Sequence, residues 1–231
     1  MKSNLLRLIT ALAIFSGFAT STLAQQHYSS NISIGAKAGA TISRTMFAPS
    51  VDQKMSTGFM AGVMMRYMEE KHFGIIIELN AEQRGWNENI KGTAYTFNRK
   101  LTYLQIPMLA HIYFGSPRAK FFFNAGPEIG FMIGDHTSSN FNYRDVASIS
   151  DFPLTNRNIE QYTMDISHKI DYGISAGLGL EIAPNKRNSF LLEGRGYYGL
   201  NNIFSAHKKD VFAASNGLSI MVSLGYFFRV K

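Results

Sequence analysis

Apolar and polar residues alternate one by one along eight separate stretches of the sequence. Ile32, Ile34, Ala36, Ala38, Ala40 and Ile42 share one face, and Ser33, Gly35, Lys37, Gly39, Thr41 and Ser43 share the other. The same reading at every second residue holds for Phe59 to Tyr67, Phe73 to Ala81, Leu104 to Phe114, Phe121 to Ile133, Tyr172 to Ile182, Phe190 to Leu200 and Leu218 to Phe228. A side-chain period of two is the signature of a strand with two unlike faces. None of the apolar faces carries a charged residue, whereas the opposite faces collect Lys37, Arg66, Glu78, Glu82, Arg84, Glu128, Asp171, Glu181, Glu193, Arg195 and Arg229. Alternation alone fits two folds: a water-soluble sandwich with its apolar faces turned inward, and a membrane barrel with them turned outward.

Three features favour the barrel. Long connections at 44–57, 85–100, 135–165 and 202–216 alternate with short ones at 69–72, 115–120 and 183–189, the asymmetry of extracellular loops and periplasmic turns. Aromatic residues end the apolar face beside the short turns: Tyr67, Phe73, Phe114, Phe121, Phe190 and Phe228. The strand number is even, each strand has about 10 residues, and lipid cannot satisfy an open sheet edge, so the sheet must close. The expectation is an all-β, eight-stranded antiparallel transmembrane β-barrel over residues 25–231, with long extracellular loops and short periplasmic turns. A barrel of eight strands is wide enough only for its own side chains, so no open pore is expected. Pro107 and Pro127 interrupt strands and are read as sites of local bulges.

An N-terminal segment supplies the export signal that such a barrel needs. Lys2 and Arg7 precede an apolar run from Leu8 to Ala19, and Thr22-Leu23-Ala24 forms a small-residue cleavage site; residues 1–24 read as a cleavable signal peptide, too short to span a membrane. Removing Lys2 and Arg7 lowers the formal charge from +7 to +5, with no basic block, so no nucleic-acid partner is expected. The chain has no cysteine, which excludes disulfides, thiolate metal sites and a lipid-modified N-terminal cysteine. Retention in the Gram-negative envelope must then come from the fold, with outer-membrane lipid as the first partner.

The segments GAKAGATIS (Gly35 to Ser43), YLQIPML (Tyr103 to Leu109), AGPEIGFMIG (Ala125 to Gly134), DYGISAGLGLEI (Asp171 to Ile182), LLEGRGYYGLNNI (Leu191 to Ile203) and LSIMVSLGYFF (Leu218 to Phe228) together resemble the PorT-like outer-membrane β-barrel family. The resemblance covers residues 30–231. It implies a small outer-membrane barrel; the family takes its name from a secretion-associated barrel, but most similar members are small barrels without an established activity, so an accessory role in a secretion or envelope machine stands as the alternative.

Residues able to carry chemistry fall on the inner face, among the histidines and in the loops. Five basic and six acidic inner residues are close to balance and read as a satisfied ion-pair network; Glu78 and Glu82, two face positions apart, could be paired acid and base, but a filled lumen offers a substrate no path. A lipid-A-modifying enzyme would need His, Ser and an acid at the lipid boundary. His111 lies mid-strand on the inner face, and His27, His72, His136, His168 and His207 fall in loops or near strand ends, with no Ser and carboxylate at a shared level. No catalytic, cofactor-binding or metal site is therefore assigned, and no cofactor is expected. The 135–165 segment interleaves Phe141, Tyr143, Phe152 and Tyr162 with Asp135, Arg144, Asp145, Asp151, Arg157, Glu160 and Asp165, and 85–100 carries Trp86, Tyr95, Phe97, Arg99 and Lys100. These loops could bind an envelope or surface protein partner or a glycan, or be variable surface. The expected function is structural or surface-recognition, without enzyme activity.

Overall fold

A computed structural model describes residues 30–154, 157–207 and 210–230. The expected signal peptide, residues 1–24, and His27 lie outside the described residues. Eight strands follow one another around a ring: β1 (Asn31–Ala48), β2 (Lys54–Met68), β3 (Phe73–Asn89), β4 (Thr96–Gly115), β5 (Ala119–Ser139), β6 (Ile170–Ile182), β7 (Asn188–Asn202) and β8 (Ala214–Arg229). Each pairs antiparallel with its neighbours in sequence, and β1 closes the ring against β8 in a long register from Ser33↔Arg229 to Ala48↔Ala214. No edge is left unpaired, as a sheet in hydrocarbon requires.

Burial follows the sequence alternation. Ile34, Phe59, Val63, Leu178, Val222 and Leu224 face outward, and their partners Ser33, Lys37, Glu78, Ser175, Arg195 and Ser219 are buried inside. Exposed Tyr67, Phe73, Phe114, Phe121, Phe190 and Phe228 ring the short-turn end, as the aromatic girdle of a membrane barrel does at its interface. Inside, large side chains lie across glycines: a Cβ on Gly173 would stand 2.7 Å from the Tyr197 ring, so this narrow lumen fits its aromatic residues only where the facing strand lacks a side chain.

The strands differ from expectation at their outer ends. β4 spans 20 residues and β5 spans 21, about twice the 9–11 that cross hydrocarbon. Pairing continues through Gly85↔Lys100 to Asn89↔Thr96, so 85–100 is mostly hairpin with a turn at 90–95 rather than a loop. The connections 44–57 and 202–216 likewise shorten to 49–53 and 203–213, and the long one lies at 140–169. Beyond the membrane the outward face meets water and carries Asn87 and Asn98, while the inward face turns apolar at Trp86 and Phe97, which erases the apolar-outward alternation that marks the spanning part.

Pro107 and Pro127 do not mark register shifts. The β4–β5 pairing lapses between Pro107↔Glu128 and Ala110↔Ala125 and resumes in the same register; the shift in this pair lies between Thr102 and Tyr103. Proline removes one ladder donor, and the prolonged pairing on both sides holds the strands in place.

Candidate functional site

The lumen is layered along the barrel axis. Nearest its middle, Glu78 accepts two hydrogen bonds from Arg195 (Nη1 and Nη2, both 2.8 Å), and Lys37 Nζ lies 2.6 Å away without good hydrogen-bond alignment. Arg195 also donates to Glu193, which accepts from Asn124 Nδ2 at 2.8 Å, and Asn124 Oδ1 is 2.7 Å from His111 Nδ1. This cluster ties five strands together. One level outward, Arg84 donates to Glu128 (2.5 Å), Glu82 (3.1 Å) and Asp171 (3.1 Å) and stacks 3.7 Å from the Tyr197 ring centroid. Ser175 Oγ donates to the second Glu128 oxygen at 2.5 Å, and Tyr197 OH to Asp171 at 2.9 Å. Glu78 and Glu82, separated by Asn80 on one face of β3, thus serve different clusters and form no acid-base pair.

The expected network is present, with one exception. Arg229 is only partly buried, makes no ion pair among the described residues, and lines the short-turn mouth. Charge along the axis is also segregated: Lys37 and Arg195 balance Glu78 and Glu193, three carboxylates surround Arg84 in the outer half, and cations gather at the short-turn end.

The long-loop end is closed by an aromatic cap. Trp86, Phe97, Phe47, Phe204 and Phe212 rise from the strand ends and the 203–213 connection, and Phe152 and Tyr162 of the 140–169 loop are buried among them. Phe97 and Tyr162 ring centroids are 4.5 Å apart, and Phe47 meets Trp86 edge-on at 5.3 Å. Each such ring buried stabilises the closed arrangement by about 1.5–3 kcal/mol. Two polar anchors fix the loop. Glu88, fully buried, accepts from Trp86 Nε1 (3.0 Å), Gln161 Nε2 (3.2 Å) and Tyr162 OH (3.0 Å). Arg99 donates to Asp135 (3.0 and 2.6 Å) and to the Met164 carbonyl (2.6 Å). Burial, and then the Glu88 carboxylate, push the Tyr162 hydroxyl pKa well above its usual value, so it remains a donor.

The loop aromatics therefore are not displayed for a partner. Phe152 and Tyr162 are buried, Phe141 and Tyr143 are half-buried against the cap, and the outer surface of the loop is left to Arg144, Asp145, Asp151, Glu160 and Asp165. Beside it opens a crevice of about 570 Å³ lined by Arg99, Asp135, His136, Tyr143, Arg144 and Asp165. The roles of Glu88 and Gln161 and the anchoring of the loop by Arg99 are not legible in the sequence, because Glu88 and Gln161, and Arg99 and Met164, stand more than 60 residues apart. The nearest signal was the set of apolar residues in segments too polar to span a membrane.

The histidines do not converge. His111 is buried in the lumen against Asn124; His72 Nδ1 lies 3.1 Å from the Tyr113 carbonyl at a short turn, and His168 Nδ1 lies 3.0 Å from the Asn202 carbonyl at the other end. Among the described residues no three His, Asp or Glu are grouped as metal ligands.

The eight strands close into a ring with an apolar exterior and a charged interior, and the family described as outer membrane protein beta-barrel domain matches residues 23–205. The chain belongs to that family. Its place is the outer membrane. The closing strand β8 lies beyond the matched residues. Neisserial surface protein A is similar at a TM-score of 0.51 and 12% identity, over 87% of this chain and 99% of that one. The outer membrane protein OprG from Pseudomonas aeruginosa is similar at 0.44 and 12%, over 86% and 96%, and the outer membrane enzyme PagL at 0.37 and 12%, over 84% and 97%. At 12% identity the likeness to Neisserial surface protein A is one of fold alone. None of the curated proteins compared matches the sequence.

Proposed function

We propose that this protein is a non-enzymatic outer-membrane barrel that recognises an envelope or surface protein through its folded long loop. The carrying observation is the anchoring of 140–169: Glu88 and Arg99 hold the loop from below while the cap buries its aromatic residues, leaving a fixed charged surface and a crevice beside it. Ordering a segment of this length costs conformational entropy, and a loop ordered before binding loses less on meeting a partner. The long loops face the outside, the short turns and both barrel-end residues, Asn31 and Arg229, face the periplasm, and residues 1–24 serve as the export signal.

The test is in vivo cross-linking from Ser148→Cys, which is exposed on this loop. A discrete protein adduct is expected, lost when Arg144, Asp145 and Asp151 of the same exposed surface are changed to Ser in a barrel that still inserts. A loop that captures nothing in either form contradicts the reading. The second reading is an accessory subunit of a secretion or envelope machine, as the PorT-like resemblance implies; the open basic mouth at the short-turn end favours it, and it predicts adducts from Ser116→Cys instead. A lipid-A-modifying enzyme is the third class, tested by lipid-A analysis of a deletion strain.

A further inference from the structure

The short-turn mouth holds a cavity of about 510 Å³ whose lining includes Arg66, Lys71, Lys120, Lys186, Arg187 and Arg229. Glu181 is the one carboxylate that lines it among the described residues, and it is already engaged: Arg66 donates to both of its oxygens, at 2.6 and 3.0 Å. Glu69 and Glu70 are exposed on the adjacent turn and do not line the cavity. The site is built, not a loose rim. Arg66 is buried, stacks 4.3 Å from the Phe227 ring centroid, and leaves its Nε without a hydrogen-bond partner. Lys120 Nζ is held 4.7 Å from the Tyr113 ring centroid and 4.0 Å from Glu181. Lys71, Lys186, Arg187 and Arg229 have no ion pair among the described residues.

We infer that this mouth is a binding site for a phosphate-bearing anion. A volume of about 510 Å³ suits a small ligand. One carboxylate cannot offset so many cations in a concave wall, where fields of one sign concentrate. A phosphate or diphosphate group brings several charges and acceptor oxygens in little volume, matching guanidinium forks and lysine ammoniums together. The phosphate can come from a soluble ligand or from a phospholipid headgroup at the rim; the chemistry recognised is the same. This inference concerns the opposite end of the barrel from the proposed recognition loop, so the two stand or fall separately.

The probe is inorganic pyrophosphate, titrated calorimetrically against the full barrel in neutral maltoside micelles at low ionic strength. Saturable binding is expected, weakened at least tenfold in the Lys120→Gln/Arg229→Gln variant and unchanged within twofold in Arg118→Gln, a control on the same turn outside the cavity lining. Both variants must still show the heat-dependent gel shift of a folded barrel; single substitutions replace the double one if it fails to fold. Absence of binding, equal binding of citrate, or an equal loss in Arg118→Gln overturns the inference. Nanodiscs then separate the sources: weaker pyrophosphate binding in phospholipid nanodiscs than in maltoside micelles, at an ionic strength that screens the bilayer's surface potential, identifies the headgroup as occupant, and equal binding in both identifies a soluble ligand.

Discussion

Glu78 shows what a single side chain does in this lumen. It is buried, and both Lys37 and Arg195 depend on it for compensation. Removing one partner of a buried ion pair leaves an uncompensated charge, which costs far more than the pair itself contributes. Glu78→Ala is expected to destabilise the barrel by about 3–5 kcal/mol, measured by urea unfolding in lipid vesicles. The double change Glu78→Leu/Lys37→Met, which removes charges of both signs, should recover part of that loss. Equal stability of wild type and Glu78→Ala would mean that water already reaches the cluster.

Strands and loops obey separate rules, and each is open to its own measurement. Val222 and Ala176 are exposed mid-strand on the lipid side of β8 and β6. An arginine at either place should cost about 2–4 kcal/mol if near the midplane, whereas Ser175→Arg, one residue from Ala176 and fully buried beside Glu128, should prevent folding by steric overlap. Unchanged stability of Val222→Arg in vesicles would contradict the outward phase of β8. In the cap, Trp86 is the single tryptophan and fully buried, so its fluorescence reports cap opening without background. The Tyr162 pKa is raised in the folded state; its stabilisation is complete below its unfolded pKa of about 10 and is lost as the pH rises beyond that. Trp86 emission should therefore shift red above about pH 10, and Tyr162→Phe should remove much of that dependence. An identical alkaline transition in Tyr162→Phe would assign the opening to other groups.

At the scale of the molecule, the closed barrel has two unlike ends: an aromatic cap with a fixed loop at one and a basic open mouth at the other. Their sidedness is directly testable because the chain has no cysteine. On intact cells an impermeant thiol reagent should label Ser148→Cys and should label Ser116→Cys only after permeabilisation; the reverse pattern inverts the barrel.

The eight strands, their outward phase and the aromatic ring beside the short turns were legible in the sequence, because lipid against one face and packed side chains against the other impose a strict period of two from Ile32 to Phe228. The inner charges were legible for the same reason. Their partners were not. Glu78 meets Arg195 across 117 positions and Arg66 meets Glu181 across 115, and only the register of the closed sheet decides which inward residues share a level. The β3–β4 extension is a local hairpin hidden by the loss of apolar alternation, whereas the capture of Phe152 and Tyr162 by the cap and the gathering of cations at one mouth also depend on ring closure. It brings together residues far apart in the chain, where no local pattern records that they will touch.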